Sequence, residues 1–461
     1  MIFKCFRDYI IVSYFLLLKD LRSKMDKTYK DLFDYINTLE IIDTHEHLPS
    51  NEEDRDKDID VLKEYLAHYF NRDLISAGLK MEDYNKIIKE KLPILEKWKL
   101  VEPYWEMSRY TGYGRSLDLA VEGIYGIEKI DGSSIEELNS KFLQSLKPGH
   151  FKKVLKDKCK IKTSLLNVNV FSKEYDLETE RSIYCDKDFF SPVYVVNNLI
   201  FPQTFDQVAM VEEESGIRIT SFTRWLEVAE VLIDKAYELG AVALKNQLAY
   251  IRTLKFDRVS RSQAEDEFNQ IFKTKHFPEW YVAPVIAGKA FQDYMFHYIL
   301  DIANKKNLVV QIHTGIQEGS GNILSNSNPE LLSNLFLEYP DVDFDIFHIS
   351  YPYQNELTVL AKNYPNVYID MCWAHIVAPS ASVNSLIEWI DTVPLNKISA
   401  FGGDYLFIDG VYGHQYLARV NVAKALSVKV LEGLFDIDKA KEIARMLFHD
   451  NPLKIFKLEG N

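Results

Sequence analysis

The amino-acid sequence predicts an α/β fold, specifically a TIM-type (β/α)8 barrel with a long helical insertion after the first strand. The first observation is an alternation from Cys159 onward. Short segments rich in β-branched and aromatic residues are followed by longer segments whose apolar residues recur every three or four positions. Such alternation is typical of a parallel sheet with crossover helices. The second observation is that eight strand segments can be counted, and eight strand and helix units close into a barrel.

The predicted strands are short. The first is 39–47, and the other seven are 161–170, 192–201, 240–247, 307–315, 342–350, 366–373 and 397–404. The clearest predicted helices between them are 221–240, 291–307, 329–340 and 382–393.

The segment 48–158 does not follow this alternation. It is charged, has helical apolar spacing and lacks strand patterns. Loops at the carboxyl ends of barrel strands lie over the active site, so a helical insertion here is a candidate lid. We assign 25–461 to one barrel domain that contains this insertion.

Residues 1–24 are predicted to be an N-terminal extension. The apolar run 8–20 is flanked by basic residues like a weak signal peptide, but it is too short to span a bilayer. Met25 offers a second plausible start. Three alternatives stay open: a mis-assigned start, a helix that packs on the barrel, or a membrane anchor.

Composition narrows the function classes. A chain of 461 residues with 47% hydrophobic and 26% charged residues is typical of a globular protein with a large core. A formal charge of -14 repels nucleic-acid phosphates and anionic membranes, so we expect a small-molecule substrate. The four cysteines form no CxxC pair, which favours a reducing, cytoplasmic location. Homo-oligomerisation stays open.

The stretch "IIDTHEHLPS" places His45 and His47 at the end of the first predicted strand. Strand side chains alternate, so both imidazoles point to the same face and can converge on one ion. An HxH pair alone is a weak signal, because two polar residues can simply end a strand without binding a metal.

Other predicted strands end in the same way. His313 ends the fifth, His348 the sixth and Asp404 the eighth, each after an apolar run. The carboxyl ends of barrel strands meet at one edge, where barrel enzymes place their chemistry. Three imidazoles and a carboxylate suit zinc or another borderline divalent ion, with water in the remaining position. We therefore expect one Zn²⁺ ion.

Lys245, at the end of the fourth predicted strand, allows two interpretations. It can be carbamylated and bridge two metals, or it can stay an ammonium and bind an anionic substrate. The second is favoured because the next residues, Asn246 and Gln247, offer no further ligand.

The motifs "DTHEH", "QIHTG", "FHIS" and "GGD", in this order, resemble the amidohydrolase superfamily. They are closest to the amidohydrolase-related group, which also holds decarboxylases and lies near the uronate isomerases. The resemblance covers 26–458, and the insertion resembles the helical elaboration of uronate isomerases. It implies that His45, His47, His313 and Asp404 bind metal, with His348 beside it. It does not fix the reaction, because members hydrolyse, decarboxylate or isomerise.

Cations near the expected mouth of the barrel suggest a carboxylated substrate, although loop arginines are usually solvated. The candidates are Arg109, Arg115, Arg252 and Lys255, with Trp373 and His375 as candidate pocket walls.

The favoured hypothesis is a hydrolase that cleaves an amide or lactone bond with a metal-activated water. Asp404 would act as general base, and His348 would orient the carbonyl or stabilise the oxyanion. Isomerisation of a sugar acid and metal-dependent decarboxylation are the alternatives.

Overall fold

The computed structural model describes residues 24–168, 185–272, 288–319 and 321–458. Eight parallel strands lie side by side in chain order. They are β1 (Ile41–Glu46), β2 (Ile161–Val168), β3 (Phe190–Val195), β4 (Ala243–Asn246), β5 (Val309–Ile312), β6 (Phe344–Ile346), β7 (Val367–Asp370) and β8 (Ile398–Ser399).

Backbone hydrogen bonds beyond the end of β8 close the sheet on itself. The Thr44 amide donates to the Phe401 carbonyl (3.0 Å), and the Asp404 amide donates to the His45 carbonyl (2.8 Å). The predicted (β/α)8 barrel is therefore confirmed, and β8 and its continuation bring Asp404 beside the end of β1.

Helices surround the strands. They are α1 (24–36), α2 (Val61–Tyr65), α3 (Phe70–Ser76), α4 (Met81–Lys89), α5 (Ile94–Ser108), α6 (Gly112–Tyr125), α7 (Ile135–Ser145), α8 (Asn197–Ile200), α9 (Phe205–Ser215), α10 (Phe222–Glu238), α11 (Arg261–Ile271), α12 (Lys289–Lys306), α13 (Ser333–Glu338), α14 (Gln354–Asn363), α15 (Ala374–Val377), α16 (Pro379–Thr392), α17 (Ile408–Leu431), α18 (Ile437–Arg445) and α19 (Asn451–Ile455). Most of the large apolar side chains between strands and helices join one buried core.

The segment 48–158 contains helices α2 to α7 and lies between β1 and β2. Its helix α6 packs closely on α17, and two glycines permit the approach. A Cβ on Gly413 would lie 1.8 Å from the Ser116 carbonyl oxygen, and one on Gly123 would lie 2.1 Å from the Tyr412 ring. The segment is thus anchored to the helix that follows β8.

Several element boundaries differ from the sequence prediction. The strand predicted over 192–201 ends at Val195, because Asn197 turns away to accept a hydrogen bond from the Gln247 amide (3.0 Å) and begins α8. Residues 169–170 of another predicted strand lie outside the described residues, as do residues 1–23 of the predicted extension. Within the described ranges no helix is long and apolar enough to cross a membrane.

Candidate metal centre and substrate cavity

Three of the predicted ligands meet at the carboxyl edge of the barrel. His45 and His47 Nε2 lie 3.2 Å apart, and they lie 3.2 and 3.3 Å from Asp404 Oδ1. Ligands about 2.0–2.1 Å from a tetrahedral zinc ion are about 3.3 Å from one another. The triangle therefore has the dimensions of three ligand atoms around one divalent ion.

His313 and His348 form a second pair beside this triangle. One nitrogen of each ring donates to a carbonyl, His313 Nε2 to Ile316 (2.9 Å) and His348 Nδ1 to Cys372 (3.1 Å). The other two nitrogens face each other at 2.9 Å, and His348 Nε2 lies 3.8 Å from Asp404 Oδ2. In neutral rings these nitrogens carry lone pairs, which repel unless a cation or proton lies near them. His313 is therefore linked to the triangle by its contact with His348, which in turn lies near Asp404.

The protonation states suit a metal site. Burial lowers the pKa of His45 and His348 well below the usual value, and it lowers the pKa of His313 to about 3. Burial alone would raise the pKa of Asp404, but its close contact with His45, which includes a hydrogen bond, holds that pKa well below its usual range. Neutral imidazoles and an ionised carboxylate are the forms that bind metal.

The "GGD" turn is held by carboxyl groups of β1. Asp43 Oδ1 accepts from the Gly403 amide (2.9 Å), and Glu46 Oε2 accepts from the Tyr405 amide (2.9 Å). A Cβ on Gly403 would lie 1.7 Å from Glu46 Oε1, so no larger residue fits there without a shift. These bonds position Asp404 between its two neighbours.

Backbone strain is concentrated at the same place. His348, Trp373 and Asp404 all have positive φ angles, of 64°, 59° and 57°. Such conformations cost about 1–3 kcal/mol each and persist where the surroundings enforce them, often at functional sites. Here they turn side chains of three different strand ends toward one centre.

A cavity of about 260 Å³ opens above the triangle. It is lined by His47, His68, Tyr69, Asn197, Gln247, Tyr250, Ile251, Glu318, Asp404 and Leu406. The lining is polar with aromatic faces, and a small molecule fits its volume.

The helical segment contributes His68 and Tyr69 to this cavity. The Tyr69 hydroxyl donates to the Asp404 carbonyl (2.5 Å), and its ring stacks on Trp373 with centroids 4.6 Å apart. Trp373, a predicted pocket wall, is 1% exposed and lies edge-on to His348 (5.2 Å) behind the cavity lining. Part of the predicted lid thus contacts the metal centre directly.

Lys245 lies below the centre and does not line the cavity. Its side chain is fully buried, and Nζ lies 3.2 Å from the centroid of the Phe347 ring, without a hydrogen-bond partner among the described residues. Burial lowers the pKa of Lys245 to about 8. The amine thus lies against an aromatic ring, a position that suits an ammonium group.

The structure does not bring Arg109 or Arg252, two of the predicted substrate-binding cations, to the cavity. Arg252 donates to Asp293 (2.7 Å) and Gln292 (3.1 Å), and it is 7% exposed. Arg109 pairs with Glu106 (2.7 Å) and Asp118 (3.0 Å) within the helical segment. Both guanidinium groups are engaged in ion pairs away from the cavity lining.

Comparison with known families agrees with the strand-end motifs. Residues 278–458 match the amidohydrolase family model. A segment of 181 residues is 28% identical to protein fluG of Emericella nidulans, covering 38% of this chain and 21% of that protein. The part of the chain at 278–458 is therefore similar to the amidohydrolases. The matched segment spans about a fifth of its curated relative.

Solved structures share the fold of this chain over nearly its whole length. Uronate isomerase from Thermotoga maritima superposes with a TM-score of 0.77 at 16% identity, covering 93% of this chain and 97% of the other. Glucuronate isomerase from Caulobacter crescentus gives 0.76 at 19% identity, with 95% coverage of both. A candidate metal-dependent hydrolase from Lactobacillus casei superposes with a TM-score of 0.64 at 17% identity, covering 93% of this chain and 98% of the other. At these identities the likeness shows the fold alone.

Several residues of the candidate site were not predicted from the sequence. The Cys372 sulfur lies within 4.8 Å of a donor atom of His348 and of Asp404, and Glu318 lies in the loop after β5. The polar pair "HY" at 68–69 stood inside a helical pattern, where neither residue was distinguishable from an ordinary helix position. The cavity lining from β3, β4 and their loops, Asn197, Gln247 and Tyr250, carried no motif.

Proposed function

We propose that this enzyme is a metal-dependent hydrolase that cleaves an amide or lactone bond of a small molecule. The observation that carries the proposal is the triangle of His45, His47 and Asp404 at the bottom of the cavity. Only one oxygen of Asp404 belongs to that triangle, so Oδ2 stays available for proton transfer.

The proposed metal is a single Zn²⁺ ion bound by His45, His47 and Asp404, with His313 and His348 next to it. Nitrogen and carboxylate donors suit zinc, and the buried imidazoles are neutral as ligation requires. When bound, the ion supplies Lewis-acid polarisation of the scissile carbonyl and acidifies water at its open position.

The side chains then have distinct roles. Asp404 Oδ2 accepts a proton as the water oxygen attacks the carbonyl carbon. It returns that proton to the leaving nitrogen or oxygen as the carbon–heteroatom bond breaks. His348, whose Nδ1 donates to the Cys372 carbonyl, presents Nε2 to the reaction centre as an acceptor. Tyr69 holds the Asp404 backbone in place.

The setting of the reaction follows from composition. A charge of -14 supports a small-molecule substrate over nucleic acid, and the scattered cysteines support a cytoplasmic location. We therefore propose a small-molecule substrate and a cytoplasmic location.

Sugar-acid isomerisation is the second candidate. It is favoured by the likeness of this fold to two uronate isomerases over 93–95% of the chain. The charge of the cavity favours hydrolysis instead, because no arginine or lysine is among the described residues that line it. A uronate carboxylate would therefore meet no arginine or lysine side chain among these lining residues.

The test is to assay zinc-loaded protein against a panel of small amides and lactones, and against D-glucuronate and D-galacturonate. We expect hydrolysis of at least one amide or lactone, lost in His45→Ala. Ketose formation from a uronate without hydrolysis would replace the first candidate by the second. Turnover that persists after zinc removal with a chelator would contradict both.

A further inference from the structure

The acidic side chain of Glu318 suggests which substrates the cavity accepts. We propose that Glu318 binds an ammonium group at the end of the substrate remote from the scissile bond, and thereby disfavours carboxylated substrates. The proposal rests on the proposed function for the position of the scissile bond at the metal centre.

The charges of the cavity carry the argument. Among the described residues that line it, Asp404 and Glu318 are the carboxylates, and there is no arginine or lysine. A bound metal ion would compensate Asp404, which leaves Glu318 as the negative charge that a substrate meets. An ammonium gains a charge-assisted hydrogen bond there, whereas a carboxylate is repelled.

The loop that carries Glu318 is fixed in position. The Gln317 side chain donates to the Ala249 carbonyl (2.6 Å), and the Glu318 amide donates to the Tyr250 hydroxyl (3.1 Å). These bonds connect the loop after β5 to the turn after β4. Glu318 is therefore a preorganised part of the wall, which lowers the entropy cost of using it.

Arg72 is the cation nearest to this carboxylate, and its effect is partial. Arg72 Nε lies 3.8 Å from Glu318 Oε1, longer than a hydrogen bond, and its side chain is 41% exposed against 31% for Glu318. Burial raises the pKa of Glu318, and the charge of Arg72 opposes that rise. A carboxylate in this environment gains from a second, better-placed cation.

The neighbouring surfaces suit the same ligand. Tyr250 is half-buried and lines the cavity, and its hydroxyl accepts from the Glu318 amide, so an aromatic side chain lies beside the carboxylate. Ammonium groups bind favourably over aromatic rings. Asn197 and Gln247 lie on the same lining and pair with each other (3.4 Å), which holds their amide groups in the wall. A carboxylate beside an aromatic side chain suits an ammonium group.

Three probes of matched length and amide type test the proposal: N-acetylputrescine, N-acetyl-γ-aminobutyrate and N-butylacetamide. Their dissociation constants are measured by calorimetry on zinc-loaded protein. We expect the wild type to bind the ammonium probe at least about tenfold more tightly than the carboxylate probe. Glu318→Gln should reduce this ratio to about twofold or less, with zinc content unchanged.

Arg72→Gln is the matched variant, which removes the neighbouring positive charge instead of the negative one. Because Arg72 partly compensates Glu318, its removal should increase the preference for the ammonium probe. Tighter binding of the carboxylate probe, lost in Arg72→Gln, would overturn the proposal and make Arg72 the anion anchor. Equal affinity for all three probes, or no binding of any, would overturn it as well.

Binding and turnover separate the two proposals. If the ammonium preference is found but no amide or lactone is cleaved, the proposed hydrolysis is contradicted and the role of Glu318 stands. If all three probes are cleaved with equal kcat/KM, the hydrolysis stands and the role of Glu318 is contradicted.

Discussion

The floor and the wall of the cavity are built differently. The floor comprises His45, His47, His313, His348 and Asp404, all at or just beyond strand ends, whereas the wall residues Glu318, Tyr250, His68 and Tyr69 come from loops and from the helical segment. Strand ends of a barrel converge by geometry, so floor residues are set by the fold. Wall residues are set by connections that vary in length. The difference suggests that the floor determines the chemistry and the wall determines the substrate.

Removing a floor ligand should have the largest effect. His45→Ala and His47→Ala should each lower bound zinc below half an equivalent per chain and reduce turnover by about 10²-fold or more, because few strong donors remain. Metal analysis of the purified protein is the measurement. His449→Ala, a change at a partly exposed histidine near Asp450, is the control. Full zinc content in both floor variants would contradict the ligand assignment.

The second largest effect should come from a substitution that changes the chemistry of the floor but keeps its shape. Asp404→Asn keeps an oxygen for the ion but cannot accept the proton of water, so we expect much of the zinc to stay while kcat falls about 10²-fold. Steady-state kinetics alongside metal analysis measure both effects. A zinc-loaded variant with full activity would show that another group is the base.

Substitution of Lys245, which is buried beneath the floor, should have a smaller effect, on the free energy of unfolding. Burial lowers its pKa from 10.5 to about 8, so the buried ammonium costs stability below about pH 8, and this cost disappears as the pH rises toward 10.5. Lys245→Met should therefore increase the free energy of unfolding by about 1–3 kcal/mol at neutral pH, and by less near pH 10. Urea denaturation at the two pH values measures this.

Metal analysis of the same variant decides between the interpretations of Lys245. Unchanged zinc in Lys245→Met agrees with an amine outside the coordination sphere. Two equivalents of metal in the wild type, falling to one or none in the variant, would instead show a bridging carbamate.

A single hydroxyl of the wall should have the smallest effect. Tyr69→Phe removes the hydrogen bond to the Asp404 carbonyl but keeps the stacked ring, so we expect a loss of about 0.5–1.5 kcal/mol in the free energy of unfolding. Thermal denaturation with and without zinc measures it, and Tyr113→Phe in the same stack is the control. Equal effects of the two changes would show that the bond to Asp404 does not matter.

The sequence predicted the floor because each of its residues ends an apolar strand pattern. His45 and His47 occupy alternate positions at the end of the first predicted strand. Asp404 follows two glycines, and the second of them, Gly403, lies so close to Glu46 that a larger residue would clash there. The barrel class followed from the same alternation. Period-two side-chain geometry is local, so a single sequence is enough to read it.

The wall could not be predicted for a physical reason. Arg109 and Arg252 were predicted to bind the substrate because they are cations near the expected mouth of the barrel. In the structure each forms an ion pair with a carboxylate away from the cavity lining. Their partners Asp118 and Asp293 are 9 and 41 residues away along the chain. Which loop charges face a cavity depends on tertiary packing, which local patterns do not report.

The bond from Tyr69 to the Asp404 carbonyl has a consequence for how such an enzyme can diverge. The first connection of the barrel holds the backbone of a residue in the last, so this connection is not an interchangeable cassette. Replacing 48–158 by the equivalent segment of another barrel would remove a tether of the reaction centre together with the surface that meets the substrate. New specificities are therefore more accessible through the short loop that carries Glu318, whose exchange leaves that tether intact.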